Sequence, residues 1–152
     1  MTMHQAIAPF QCCFLLLLVS VPLGRRAGAQ IIPDETLGPE SSEVVPNGVT
    51  VEEAEADLIR GGALRQENLF HSFEQFSIGE GQRVYFDNPA GVERVFSRVT
   101  GDLPSDIWGT LGSLGDADVF FLNPNGVVFG PNARLDIGGS FVVSTTDSLA
   151  FA

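Results

Sequence analysis

The sequence predicts an all-β chain wound as a solenoid, and three observations lead there. From Arg83 onward, short runs of β-favouring residues alternate with glycine, asparagine, aspartate and proline. No amphipathic helical stretch interrupts those runs. Asn-Pro-x-Gly turns recur after aromatic-rich runs, and repeated corners between short strands are what stacked coils require.

The first segment stands apart from the rest. Phe10 to Val21 is an apolar run, shorter than the ~20 residues a membrane-spanning helix needs. Pro22-Leu23-Gly24 breaks it. Ala27-Gly28-Ala29 then offers the small-x-small pattern of signal-peptidase cleavage, which would leave Gln30 as the new amino terminus. Residues 1–29 are therefore expected to be a signal peptide, although Arg25 and Arg26 follow the apolar run and only His4 and the free amine precede it. Both cysteines, Cys12 and Cys13, lie in this leader, so the processed chain would have no disulfide.

Residues 30–50 start with Ile31-Ile32, pass through a polar, proline-bearing stretch, and reach a turn at Pro46-Asn47-Gly48. Thr50 to Ile59 supports two readings. Thr50 and Glu53 form a capping box beside the helix formers Glu52, Ala54, Glu55 and Ala56, whereas Leu58, Leu64 and Leu69 are spaced as in strands.

The β-favouring runs that follow are Val84-Tyr85-Phe86, Val95-Phe96, Ile107-Trp108, Val119 to Leu122, Val127 to Phe129, Leu135 to Ile137, Phe141 to Val143 and Leu149 to Phe151. Phe86, Phe120, Phe129 and Phe141 are interior candidates; Phe120 and Phe121 cannot both point inward on a regular strand. Asn88-Pro89-Ala90-Gly91 and Asn123-Pro124-Asn125-Gly126 share one turn chemistry, and Gly130-Pro131-Asn132-Ala133 is a looser relative. In the expected turn, Asn bonds to its own backbone at the first position, Pro fixes φ near −65° at the second, and Gly leaves the turn at the fourth. A β-sandwich has strands at similar spacing. Continuously apolar runs such as Val119–Leu122 favour parallel stacked coils of roughly 20–25 residues instead.

The chain has 8 basic residues, all arginine, against 19 acidic ones, a formal net charge of −11. Removing the leader would take away Arg25 and Arg26 and deepen this to −13. Such a surface repels phosphate backbones, so nucleic acid is excluded as an expected partner.

The successive stretches Asn68 to Phe73, Asn88-Pro89-Ala90-Gly91, Ser97-Arg98-Val99-Thr100-Gly101, Ile107 to Leu111 and Asn123 to Ala133, followed by Leu135 to Phe141, resemble the two-partner secretion domain of filamentous-haemagglutinin-type adhesins, in its cyanobacterial form. The resemblance spans Ile31 to Phe151. It implies a right-handed parallel β-helix with an N-terminal cap over residues 30–152. It also implies export through the periplasm, recognition by a partner outer-membrane β-barrel transporter, and a secreted or cell-surface destination. Asn123, Pro124, Asn125 and Gly126 correspond to the family's hallmark corner, implied to fix coil geometry and to form part of the export signal. Asn88, Pro89 and Gly91 form a second such turn. Because Leu149 to Phe151 is apolar and no polar terminal coil follows it, the domain reads as incomplete at its C-terminus.

Parallel β-helices also carry polysaccharide lyases, but no enzyme, cofactor or metal is expected here. Asp116 and Asp118 lack the further oxygen ligands calcium takes and read as a solvated turn. His71 is expected to be a structural residue of the cap, since its neighbour Ser72 would point to the opposite face. A carbohydrate- or surface-binding adhesin module is the alternative role, with Trp108, Tyr85 and exposed acidic turns as contributors.

Overall fold

A computed structural model describes residues 30–148. The leader, its cleavage pattern at Ala27 and Ala29, and the Leu149–Phe151 run lie outside the described residues. Thirteen strands and one short 3-10 turn, Gly38–Glu40, make up the described chain. They are β1 (Gln30–Pro33), β2 (Ser42–Val51), β3 (Ala54–Gly61), β4 (Ala63–Arg65), β5 (Asn68–Ser77), β6 (Arg83–Asp87), β7 (Arg94–Val99), β8 (Ser105–Ile107), β9 (Thr110–Leu114), β10 (Asp118–Leu122), β11 (Val127–Phe129), β12 (Arg134–Asp136) and β13 (Phe141–Ser144).

The strands stack as a β-solenoid of about four turns with three faces. The first face runs β5-β7-β10-β13, all parallel, and the second runs β3-β6-β9-β12, also parallel. The third is narrow: β8 pairs with β11, and Ile78 bridges to Ile107. On the first face the coil step is read from the column Leu69, Val95, Val119, Phe141, which gives 26, 24 and 22 residues. β10 pairs with β7 and β13, and β11 pairs with β8, so no hairpin joins Val119–Leu122 to Val127–Phe129.

The period-2 alternation of strands decides what fills the interior. Leu69, Val95 and Val119 point inward, while the next column, Phe70, Phe96 and Phe120, lies on the outer side of the same face. Phe70 and Phe96 stack at 5.1 Å between centroids, and Phe96 and Phe120 at 4.8 Å. Phe120 is therefore not an interior residue; Phe121 is, at 1% exposure against the edge of Phe76. Phe86 is fully buried as expected, in one core with Phe73, Phe76, Ile78, Ile107 and Leu111. Each such side chain contributes roughly 1.5–3 kcal/mol through burial. Phe129 faces inward in register with Ile107 but keeps 41% exposure, because among the described residues no strand stacks on β11 from the other side. Phe141 packs partly buried against the core and meets the Phe129 ring edge-on.

The cap is antiparallel. β1 and β4 share the open edge of β5, with β1 opposite Phe73–Ser77 and β4 opposite Asn68–Phe70. β2 closes β3, and Val45, Val49 and Val51 cover Ala56, Leu58 and Tyr85 on the outer side of the second face. The unpaired edges of the first coil are thereby filled. The ambiguity over Thr50–Ile59 resolves as a hairpin. Val51 pairs with Ala54, and Glu52 and Glu53 between them hold φ of 49° and 65°. Positive φ at both central residues is the geometry of a two-residue turn whose twist matches the flanking strands. Pairing with β2 and β6 outweighs the local helix preference of this segment.

Candidate functional site: the corner turns and the cap

The three proline turns occupy three different corners. Asn88–Gly91 joins the second face to the first, Asn123–Gly126 joins the first to the third, and Gly130–Ala133 joins the third to the second. Asn88 and Asn123 are therefore not equivalent positions in successive coils.

At Asn123 the sequence expectation holds atom by atom. The amide of Gly126 donates to the Asn123 carbonyl at 3.0 Å, which places Pro124 second and Gly126 fourth. The Asn123 side-chain oxygen accepts from the Asn125 amide at 2.9 Å. Its nitrogen reaches back one coil, donating to the Leu103 carbonyl at 3.0 Å and to Ser105 Oγ at 2.9 Å. Asn125 Nδ2 donates to the Gly101 carbonyl at 2.7 Å. Asn123 is fully buried, and its amide stitches the third coil to the loop between β7 and β8. Gly126 takes φ +105°, where other residues are strained.

Asn88 differs. The turn hydrogen bond there runs from the Val92 amide to the Pro89 carbonyl at 3.2 Å, so the turn starts one residue later than the motif suggests. Gly91, at φ +88°, becomes the third residue, where a type II turn demands positive φ. The Asn88 side-chain oxygen and nitrogen are both buried with no hydrogen-bond partner. The looser Gly130–Ala133 turn follows the Asn123 pattern, with Ala133 N donating to Gly130 O at 3.1 Å.

A second polar cluster ties the cap to the coils. Asp34 accepts from Thr36 Oγ1 at 2.6 Å, Thr100 Oγ1 at 2.6 Å and Ser72 Oγ at 2.8 Å. Arg98 donates to Ser72 Oγ and Thr36 Oγ1. Burial pushes the Asp34 carboxyl up, but the bonds from Thr100, Thr36 and Ser72 outweigh it and hold the group below its usual value. His71 lies on the inward side, at 2% exposure, with Nδ1 2.9 Å from Ser42 Oγ on β2 and its ring beside Phe73 and Phe86. Its Nε2 is buried and unpartnered, and burial lowers its pKa to about 4. Ser72 points outward, as strand alternation required, and the serine that meets His71 comes from β2. The pairing of residues 42 and 71 had no signal in the sequence. The Asp34 turn had one, because Asp-x-Thr spacing lets the Thr36 amide bond back to Asp34.

Tyr85 is not a surface contributor: at 1% exposure it donates to Asp136 Oδ2 at 2.6 Å and accepts from Arg83 at 2.9 Å. Trp108 stays 42% exposed. Asp116 sits in the bend before β10, and Asp118 accepts from the Ser140 amide at 2.7 Å. No group of three or more acidic, histidine or cysteine side chains among the described residues is arranged to hold a metal.

Comparison with known proteins points to one family. The TPS secretion domain, the domain of two-partner secretion, matches residues 29–152. The heme/hemopexin-binding protein of Haemophilus influenzae is 31% identical over 113 residues, covering 73% of this chain and 11% of that protein. Its counterpart from the Rd strain is 35% identical over 75 residues, covering 49% of this chain and 8% of that protein. The chain thus spans about a tenth of the length of these relatives. With the family matched across every described strand, on a capped three-faced solenoid, the chain belongs to the TPS secretion domains, which serve the export of two-partner secreted proteins.

Proposed function

We propose that this domain targets a filamentous-haemagglutinin-like adhesin for export and nucleates its folding, after recognition by a partner outer-membrane β-barrel transporter. The observation that carries the folding half is the Asn123 corner. A buried amide with two partners in the preceding coil and one in its own makes the placement of its coil depend on the one before it. A chain emerging amino end first would form the cap, then the first coil, and would add the rest in register. Membership in the secretion-domain family supports the export half. Asn123, Pro124, Asn125 and Gly126 then set the corner and contribute to the signal the transporter reads, Asn88, Pro89 and Gly91 set a second corner, and Ala27, Ala29 and Gln30 mark the signal-peptidase site of a leader over residues 1–29.

The test is to express the chain, fused to a reporter, with and without a two-partner outer-membrane transporter. Reporter in the medium only when the transporter is present is the expected result. Equal release without it would overturn the reading. Asn125→Ala separates corner from signal: it keeps the turn but removes the bond to Gly101, so loss of export with unchanged refolding assigns Asn125 to recognition.

A further inference from the structure

We propose that the positive charge created at Gln30 by removal of the leader pairs with Asp106 and latches β1, so that the cap closes fully only in the processed chain. The inference rests on cleavage after Ala29 and adds a consequence to it. Hydrolysis of the Ala29–Gln30 bond takes up one water. It leaves a carboxylate on Ala29 and an amine on Gln30, mostly protonated at neutral pH. Before cleavage the same nitrogen is a neutral peptide amide. The chain has no lysine, so this amine is the only one the processed protein carries.

The strand pairing puts that charge beside Asp106. Gln30 lies opposite Ser77 where β1 pairs with β5. Asp106 stands on the other side of Ser77: its amide donates to Ser77 Oγ at 3.1 Å, and the bridge from Ile78 to Ile107 sets the two residues in register. Ile31 packs against the core, and Ile78 and Ile107 are fully buried, so alternation turns Gln30, Ser77 and Asp106 to the same outer side. All three line one cleft of about 400 Å³, in which Asp106 is the only charged side chain among the described residues. Its amide and carbonyl bond to neighbouring residues, but its carboxylate has no partner among the described residues. Two strand spacings put the Cα atoms of Gln30 and Asp106 about 10 Å apart. The carboxylate and the terminal nitrogen both lean across Ser77, so the charges themselves lie inside the ~8 Å screening length of physiological salt.

β1 is a strand that such a pair can govern. It has four residues, ends in a proline that donates no hydrogen bond, and shifts register between Ile32 and Pro33. It is what covers the edge of β5 from Phe73 to Ser77. An uncovered edge there is a template for another strand. An exposed ion pair shifts a local opening equilibrium about two- to fivefold, enough to matter at the end of a short edge strand and too little to change the whole fold.

The full chain would be expressed in a bacterium with a signal peptidase and the processed protein recovered. Mass spectrometry of the amino-terminal peptide should find Gln30 with a free amine. Hydrogen exchange at the Ile31 and Ile32 amides then reads β1. N-hydroxysuccinimidyl acetate neutralises the amine, and Asp106→Asn neutralises the carboxylate. Each should speed exchange in β1 about two- to fivefold with β10 unchanged, and the two together should do no more than either alone. Asp106→Glu, which keeps the charge, should keep β1 protected. A terminus at another residue would overturn the cleavage site and the latch together. A Gln30 terminus with unchanged exchange, additive effects of the two neutralisations, or a Gln30 closed on itself as a neutral lactam would overturn the latch alone and leave the cleavage site standing.

Discussion

Two turns with the same Asn-Pro-x-Gly spelling behave differently in this molecule. At Asn123 the asparagine begins the turn, is fully buried, and satisfies its side chain with Asn125, Leu103 and Ser105. At Asn88 the turn begins at Pro89, and the asparagine amide is buried without a partner. The motif makes a turn but leaves open which of its residues begins it. What its polar side chain contributes depends on which groups the neighbouring coil presents. Proline and glycine stand second and fourth in the turn at Asn123 but first and third in the turn at Asn88, and the asparagine is a link between coils at one corner and unpartnered at the other.

The comparison breaks most readily by substitution at the asparagines. Asn123→Ala should lose about 2–4 kcal/mol, because three hydrogen bonds of a buried amide are lost and Ser105 Oγ is stranded in the interior, measured as the shift in urea midpoint. Asn88→Ala should change stability by less than about 0.5 kcal/mol, since no bond is removed. Equal losses at both sites would show that the corners are equivalent after all.

Acid sharpens the contrast between the coils that carry these corners. The first coil rests on neutral His71, whose folded pKa of about 4 lies below the unfolded value of 6.5. A depressed pKa gives stability that is fully present above pH 6.5 and is lost as pH falls through the window down to 4, about 3 kcal/mol in all. The Asn123 network contains no titrating group. Hydrogen exchange at pH 4.5 should therefore accelerate first in β2 and β5 while β10 stays protected, and His71→Leu should flatten this dependence.

Glycine provides the control. Gly91→Ala and Gly126→Ala should each cost about 1–2 kcal/mol, because both hold positive φ and a Cβ at either would meet nothing within 4 Å. The last effect is a gain. Glu53→Gly relieves a non-glycine residue at φ 65° and should stabilise the cap hairpin by roughly 0.5–1 kcal/mol, seen as a higher melting temperature. A loss there would show that the Glu53 side chain has a role beyond its backbone.

Much of the fold was legible without coordinates. The runs Val84–Phe86, Val119–Leu122, Val127–Phe129 and Phe141–Val143 fall inside β6, β10, β11 and β13, because continuous apolar, β-branched and aromatic runs suit strands buried between stacked neighbours. Residues 50–59 were not legible, since two glutamates in a tight turn look like helix until β3 finds β2 and β6. Trp108 and Tyr85 looked alike as contributors to a surface and diverge because β2 curls over Tyr85 and, among the described residues, nothing comparable covers Trp108.

By itself the sequence determined the strand class, the breaks between strands and the places where the chain turns, all of which rest on local sterics: β-branching, the fixed φ of proline, the freedom of glycine. Only the tertiary structure decided which of Phe120 and Phe121 is core, that Ser42 rather than Ser72 meets His71, and that Asn123 joins two coils while Asn88 joins none. Those outcomes depend on register between strands 22 to 27 residues apart. Register is set by the packing of the whole stack, and a shift of one residue would turn every side chain to the opposite face.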